Sequence, residues 1–156
     1  MTAPVHAEPR VRPVLLTWTD MEGCVNYRFT LPGAPRTKKT SNRILKMGTR
    51  NVIMPSKAWM AWKKGCLAYV ATKPELGLYL ERPVNCRALI YRDANHGDSS
   101  GYISGLADVL EEINVVLNDK HITQWDGTRL LKDADNPRVE VTLTVLKADR
   151  QEALVL

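Results

Sequence analysis

The chain has 156 residues, a formal net charge of +5 and ordinary proportions of apolar and charged side chains, which indicates one domain with its own core. No apolar run approaches the roughly 20 residues that a membrane-spanning helix needs, and no apolar region follows Arg10 and Arg12 as it would in a cleaved leader. We therefore expect a cytoplasmic protein with no membrane partner.

The cysteines Cys24, Cys66 and Cys86 are odd in number, widely spaced and without a C-x-x-C pair. This usage is typical of reduced thiols in a cytosolic compartment and argues against a zinc site. We expect the three side chains to be packing residues of the core.

Charge is divided unevenly along the chain. Residues 1–64 hold 12 Lys and Arg against 3 Asp and Glu, whereas residues 65–156 hold 10 against 14. A basic part (+9) beside an acidic part (−4) suits polyanion binding next to a cation pocket. A solvated basic surface is the alternative interpretation.

The first half of the chain predicts strands and one helix around a basic segment. Residues 1–13 contain three prolines and read as a flexible arm, and residues 14–18 read as an edge strand. Residues 25–31 alternate as a strand does, and a short strand is expected at 51–54. Ser56 is a candidate N-cap for a helix over 57–72, whose apolar stripe is predicted to be core: Trp59, Trp62, Cys66, Tyr69 and Val70.

The second half predicts a central strand at 84–91, a second helix at 99–114 and a final strand at 139–146, before a tail at 147–156. The apolar stripe of the second helix is Ile103, Leu106, Ala107, Leu110 and Ile113. A short strand at 122–125 is expected to turn at Asp126-Gly127 as a hairpin does. The whole is an α+β (mixed α/β) single domain over 14–146, with a small mixed sheet and two main helices.

Two carboxylates are candidate metal ligands. Asp98 precedes the second helix, where it can cap the helix, and Asp119 follows 21 residues later. A helix of about 15 residues spans roughly 22 Å, and five extended residues return about 17 Å. Asp119 is therefore expected beside Asp98, in a site suited to Mg²⁺.

Ser100, Ser104 and Asp108 share one face of that helix, because they are four residues apart. This face is either exposed to solvent or directed into the pocket. His96 and His121 flank the two acids, although a lone histidine is usually not a ligand.

Residues 36–50 carry six basic side chains and no acid, which favours salt-sensitive contacts to a DNA backbone. A solvated loop is the alternative. The candidate DNA-binding residues are Arg36, Lys38, Lys39, Asn42, Arg43, Lys46 and Arg50.

Two blocks of the sequence resemble the RusA family of Holliday-junction resolvases of phages and prophages. The first is FTLPGAPRTKKTSNRI followed by VIMPSKAW, and the second is GDSSGYISGLADVLEEINVVLNDKHITQWDG. The resemblance covers roughly residues 25–146 and keeps the family's order of strand, acid, helix and second acid.

The resemblance implies a homodimeric endonuclease of DNA recombination and repair, which cuts four-way or branched DNA with Mg²⁺ or Mn²⁺ in a bacterial or phage-infected cytoplasm. It implies metal ligation and catalysis by Asp98 and Asp119, with Asp108 assisting. Ser100, Gly101 and Ser104 stand where the family has Asp, Asn and Lys. The secondary candidates for the site are Asp93, Ser100, Ser104 and Lys120.

Those three departures leave a second hypothesis open. A serine hydroxyl is a poor substitute for a carboxylate on a hard cation, and loss of the lysine removes a positive charge near the reacting phosphate. The chain is then a junction-binding module without nuclease activity. A protein-interaction role unrelated to DNA is the third hypothesis.

Overall fold

A computed structural model describes residues 12–38, 43–94 and 97–148. Within them a mixed sheet and two helices build one domain, which confirms the α+β class predicted from the sequence. Most of the predicted arm and tail, together with Lys39, Asn42 and His96, lies outside the described residues.

The strands are β1 (Leu16–Thr19), β2 (Val25–Pro32), β3 (Arg43–Met47), β4 (Arg50–Met54), β5 (Val84–Arg92), β6 (Ile122–Gln124), β7 (Arg129–Lys132) and β8 (Arg138–Val145). The helices are α1 (Lys57–Ala71) and α2 (Ser99–Glu112), and a 3-10 turn covers Asp119–His121. Both predicted N-caps are confirmed: the Ser56 hydroxyl accepts from the Trp59 N–H, and the Asp98 carboxylate accepts from the Gly101 N–H.

Strand β5 is the centre of the main sheet, as its sequence predicts. It pairs with β8 antiparallel on one side, and β8 continues the sheet through β2 to the edge strand β1. On its other side β5 pairs in parallel with β6 near its start and with β7 near its end. The alternating side chains Val84, Cys86, Ala88 and Ile90 are buried, so one face of the sheet forms the core.

The predicted hairpin at Asp126-Gly127 is wrong in topology, although the turn exists. The Thr128 N–H donates to the Trp125 carbonyl, and Gly127 has a φ of +83°. The strands on either side do not pair with each other but follow in line along the same edge of β5. Asn85 exchanges two hydrogen bonds with the Asp126 backbone, which holds the turn against β5 instead of folding it into a hairpin.

The buried face of α2 is rotated from the predicted stripe. Leu106, Leu110 and Ile113 are buried as expected, but Ile103 and Ala107 are only half-buried. The additional buried side chains are those of Tyr102 and Val109. In the sequence, an apolar stripe about 100° wide is compatible with either set of buried residues. The packing of α2 on α1 and the sheet decides which set is buried. In the α1 stripe Trp59, Trp62 and Cys66 are buried as predicted, whereas Tyr69 and Val70 are half-buried against the edge of the core.

Strands β3 and β4 form a separate two-stranded ribbon. The sequence predicts only its second strand, because the first is rich in basic residues. Exposed large apolar side chains stand on this ribbon, among them Ile44, Met47 and Ile53.

Cys66 and Cys86 are buried as predicted, whereas Cys24 is only half-buried. Burial raises the pKa of the Cys66 thiol to about 12, and it raises the pKa of Cys86 as well. Neither described helix is long and apolar enough to cross a membrane.

Candidate metal and DNA site

The segment before the basic ribbon is tied to the first turns of both helices. Thr37 is only 3% exposed, its carbonyl accepts from the Ser56 hydroxyl at 3.1 Å, and the Ser56 N–H donates to the Lys38 carbonyl. A methyl group on Gly101 would lie 3.0 Å from the Thr37 side chain. The chain around Thr37 therefore fits closely between α1 and α2, and this fixes the start of the Lys38 side chain.

The Lys38 side chain reaches across to α2. Its Nζ lies 2.5 Å from the Asp108 Oδ2 and 5.2 Å from the centre of the Trp59 ring. The Trp59 indole N–H donates to the Gly105 carbonyl at 3.3 Å. One predicted DNA-binding residue and one predicted catalytic residue are thus joined in an ion pair, over the contact between the two helices.

Three carboxylates come together at this point: those of Asp108, Glu111 and Asp119, with ligand oxygens within 4.8 Å of one another. Asp108 and Glu111 are three residues apart on α2 and therefore share a face. Asp119 opens the 3-10 turn that packs against α2. All three residues are half-buried. Two of the predicted site residues, Asp108 and Asp119, are therefore brought together.

The path of the chain after α2 explains where Asp119 lies. The N–H groups of Val115 and Val116 both donate to the Leu110 carbonyl, and Asn114 takes a φ of +61°. Residues 113–116 therefore wrap around the end of the helix and do not run back along it. Val116 then forms a parallel β-bridge with Leu80. Only two residues therefore separate this bridge from Asp119, and the chain can run back along α2 for only a short distance.

The structure groups Asp119 with Asp108 and Glu111, and not with Asp98 as the sequence predicts. Asp98 lies ten residues before Asp108, or about 15 Å along the helix axis, and it is not a member of the acidic group. Its Oδ1 accepts from the Gly101 N–H at 2.9 Å and from the Ser100 hydroxyl at 3.0 Å. Residues 113–116 wrap around the end of α2, so fewer residues are left to run back towards Asp98 than the five extended residues assumed from the sequence.

The acidic group has the chemistry of a site for a hard divalent cation. Carboxylate oxygens are the preferred ligands of Mg²⁺, which holds them at about 2.1 Å, so two ligands of one ion lie no more than about 4.2 Å apart. The 4.8 Å limit of the group exceeds this by roughly 0.6 Å, a distance that a rotation of one side chain covers. Asp108, Glu111 and Asp119 therefore fit a divalent cation in number and kind.

Two other residues predicted for the site, Arg36 and Asp93, form a salt bridge with each other. The Arg36 guanidinium donates to both Asp93 oxygens at 2.6 and 2.9 Å, and also to the Pro35 carbonyl at 3.1 Å. These hydrogen bonds lower the pKa of Asp93 to about 2. The pair ties the chain before Thr37 to the end of β5. The Arg36 guanidinium is therefore bound within the fold, and the Asp93 carboxylate is paired with that guanidinium.

The remaining secondary candidates surround the acidic group without joining it. Ser104 is half-buried one turn before Asp108, and Ser100 is exposed at the start of α2. Lys120 is exposed, with its backbone N–H donated to the Asn118 side chain, and His121 is half-buried in the same 3-10 turn. The predicted polar face of α2 therefore runs from exposed Ser100 to half-buried Asp108.

Among the basic candidates on the ribbon, Lys46 and Arg50 are exposed. Arg43 lies in β3, and its side chain is outside what the structure describes, as are Lys39 and Asn42. Lys46 and Arg50 keep the orientation towards solvent that a contact with a phosphate backbone requires.

Glu111 is the residue that sequence reasoning missed. Its signal is the spacing of three from Asp108, which places the two acids on one turn. Charged residues three apart on an exposed helix are common, so this spacing is informative only once Asp119 is known to lie beside it.

No protein-family model matches the chain, and a search of curated proteins gives no match.

Proposed function

We propose that the protein is a metal-dependent endodeoxyribonuclease that acts on branched DNA, including four-way junctions. The observation that carries the proposal is the group of Asp108, Glu111 and Asp119 carboxylates beside the Lys38 ammonium. The basic ribbon and the resemblance to the RusA family support DNA as the substrate. Mg²⁺ is the proposed cofactor, with Mn²⁺ as a substitute.

Each side chain has a definable part in such a reaction. Asp108, Glu111 and Asp119 would hold the cation, which when bound polarises a phosphate and activates water. Lys38, 2.5 Å from Asp108, supplies a positive charge at the edge of the group, where it would face a phosphate oxygen. The exposed Lys46 and Arg50 would contact the DNA next to the cut.

The RusA resemblance implies Asp98 and Asp119 as the metal ligands, whereas the geometry favours Asp119 with Asp108 and Glu111. Substitution separates the two assignments. Asn is as good an N-cap as Asp, so Asp98→Asn preserves α2 while removing a charge.

The test is cleavage of a synthetic four-way junction with Mg²⁺ or Mn²⁺, compared with a duplex of the same sequence. We expect Asp119→Asn, Asp108→Asn and Glu111→Gln to lower the rate at least about 100-fold, and Asp98→Asn to keep it within about threefold. Loss of cleavage in Asp98→Asn with Glu111→Gln active would instead support the family assignment. No cleavage by the unaltered protein would refute the nuclease proposal.

A second candidate function is DNA-junction binding without cleavage, and the Lys38–Asp108 ion pair favours it. An ammonium at 2.5 Å from a carboxylate oxygen competes with a metal ion for that oxygen. Ser100 and Ser104 also lack the acid and the base that the resolvase family has at those positions. In this case the lysine would take the place of the metal.

Titration with Mn²⁺, followed by electron paramagnetic resonance, distinguishes the two candidates. A nuclease site binds Mn²⁺ in the unaltered protein and loses it in Asp119→Asn. A binding module takes up Mn²⁺ only after Lys38→Ala, which frees the Asp108 carboxylate. Lys64→Ala, which removes an exposed lysine of α1, is the control for the loss of one positive charge.

The remaining parts of the proposal follow from the substrate. A four-way junction has two-fold symmetry, so a homodimer would present two sites to opposing strands. Branched DNA of this kind arises in recombination and repair, and the resemblance to the RusA family implies a bacterial or phage-infected cytoplasm.

A further inference from the structure

The β3–β4 ribbon has one face that is exposed throughout. Cross-strand partners point to the same side of a sheet, and the register pairs Ile44 with Ile53 and Lys46 with Asn51. All four are exposed, Ile44 to 69% and Ile53 to 68%. Two isoleucines and a Lys–Asn pair therefore lie side by side on this face of the ribbon, the reading face.

Ile44 and Ile53 form an adjacent apolar pair beside polar side chains, which is the pattern of a surface that a partner covers, and charge decides which partner. The ribbon carries Lys46 and Arg50, and no Asp or Glu occurs between Glu22 and Glu75. A second copy of the ribbon would therefore be repelled, whereas a polyanion would be attracted. The charge of the ribbon selects nucleic acid over self-association.

The dimensions of the ribbon suit the major groove of duplex DNA. Two strands about 4.8 Å apart, each of five residues, make a ribbon roughly 17 Å long. The major groove of B-DNA is about 12 Å wide and about 8.5 Å deep, and it admits a two-stranded ribbon.

The side chains of the reading face also match the groups that the major groove presents. Apolar side chains contact the C5-methyl of thymine, Lys donates to guanine O6 and N7, and Asn pairs with adenine N6 and N7. Arg50, on the opposite face in register with Met47, is left to contact a phosphate.

We propose that the ribbon enters the major groove of a DNA arm next to the cleavage site, with Ile44 and Ile53 against base edges and Lys46 and Asn51 hydrogen-bonded to them. This inference rests on the proposed DNA function and adds a second contact, which reads the bases of a duplex arm.

The experiment measures the affinity of Ile44→Ser/Ile53→Ser for a four-way junction by fluorescence anisotropy. Both residues are exposed, so the fold is not at risk, and Met21→Ser/Leu117→Ser is the matched control at two other exposed apolar positions. We expect binding about tenfold weaker in the ribbon variant, with the control unchanged. The salt dependence stays the same, because no charge is lost.

A second arm replaces every thymine of the junction by uracil, which removes only the C5-methyl groups from the major groove. The unaltered protein should bind this DNA about threefold more weakly, since each methyl contact is lost. Ile44→Ser/Ile53→Ser should bind the two DNAs equally.

The outcomes separate this inference from the proposed function. A ribbon variant that binds as tightly as the unaltered protein, with the same response to uracil, overturns the inference while DNA binding stands. A variant that changes from dimer to monomer by light scattering, with unchanged DNA binding, assigns the face to a second copy and also overturns it. Failure of the unaltered protein to bind any DNA refutes both.

Discussion

The contact of α1 with α2 depends on the absence of a side chain at Gly105. A methyl group there would lie 2.8 Å from the Trp59 Nε1, 3.1 Å from its Cδ1 and 3.3 Å from the Arg36 carbonyl oxygen. The first of these contacts is shorter than carbon and nitrogen tolerate, so Gly105→Ala forces the indole away from α2. This movement also breaks the hydrogen bond from Trp59 to the Gly105 carbonyl.

Three contributions set the size of the effect. Alanine in place of glycine inside a helix stabilises by about 1 kcal/mol. Overpacking a buried contact costs about 1–3 kcal/mol, and the lost hydrogen bond costs about 1 kcal/mol. We expect Gly105→Ala to lower the free energy of unfolding by about 1–3 kcal/mol.

Gly65 provides a control of opposite sign. It lies in the middle of α1 and is exposed, and no atom beyond its own helix backbone lies within 4 Å of the position that a methyl group would take. Only the helix propensity then acts, so Gly65→Ala should raise the free energy of unfolding by about 0.5–1 kcal/mol.

Urea denaturation followed by tryptophan fluorescence measures both variants, and thermal unfolding should show shifts of about 2–4 °C per kcal/mol. A Gly105→Ala protein as stable as Gly65→Ala would refute the close packing of the two helices.

Three further predictions follow from single contacts. Asp93→Asn removes a carboxylate whose pKa Arg36 lowers to about 2. Because nearly a third of the Asp93 side chain is exposed, solvent screening limits the contribution of the ion pair to the free energy of unfolding to about 1 kcal/mol. That contribution is present above the ordinary pKa near 4 and disappears as the pH falls towards 2, so urea unfolding of variant and unaltered protein should differ at pH 6 and converge at pH 2. Asp98→Ala should destabilise the protein by about 1 kcal/mol through loss of the α2 cap and Asp98→Asn by a few tenths at most, and equal losses in calorimetry would contradict a capping role. Cys24 should react with a thiol reagent in the native protein, whereas Cys66 and Cys86, whose pKa values burial raises, should react only on unfolding; three equal rates would show that the core is open.

Local sequence signals determined the main elements of the fold. Ser56 and Asp98 mark the starts of both helices because their side chains satisfy the free N–H groups of a first turn. The alternation of Val84, Cys86, Ala88 and Ile90 predicts a strand with one buried face. These features depend on neighbours a few residues away, so they can be read without a structure.

Short strands in polar sequence were not predictable in this way. Strand β7 exists because β5 offers it an edge, and β3 exists because β4 pairs with it. Neither has the alternation of a half-buried strand, so only the pairing partner defines them.

The acidic group was decided by the tertiary structure alone. The sequence identified Asp108 and Asp119 as candidates, but it could not show that Val115 and Val116 would wrap around the end of α2. That path shortens the return of the chain and places Asp119 beside Asp108 and Glu111 instead of Asp98. The pairing of Lys38 with Asp108 spans 70 residues and depends on how Thr37 fits between the helices, which is a property of packing that no local pattern encodes.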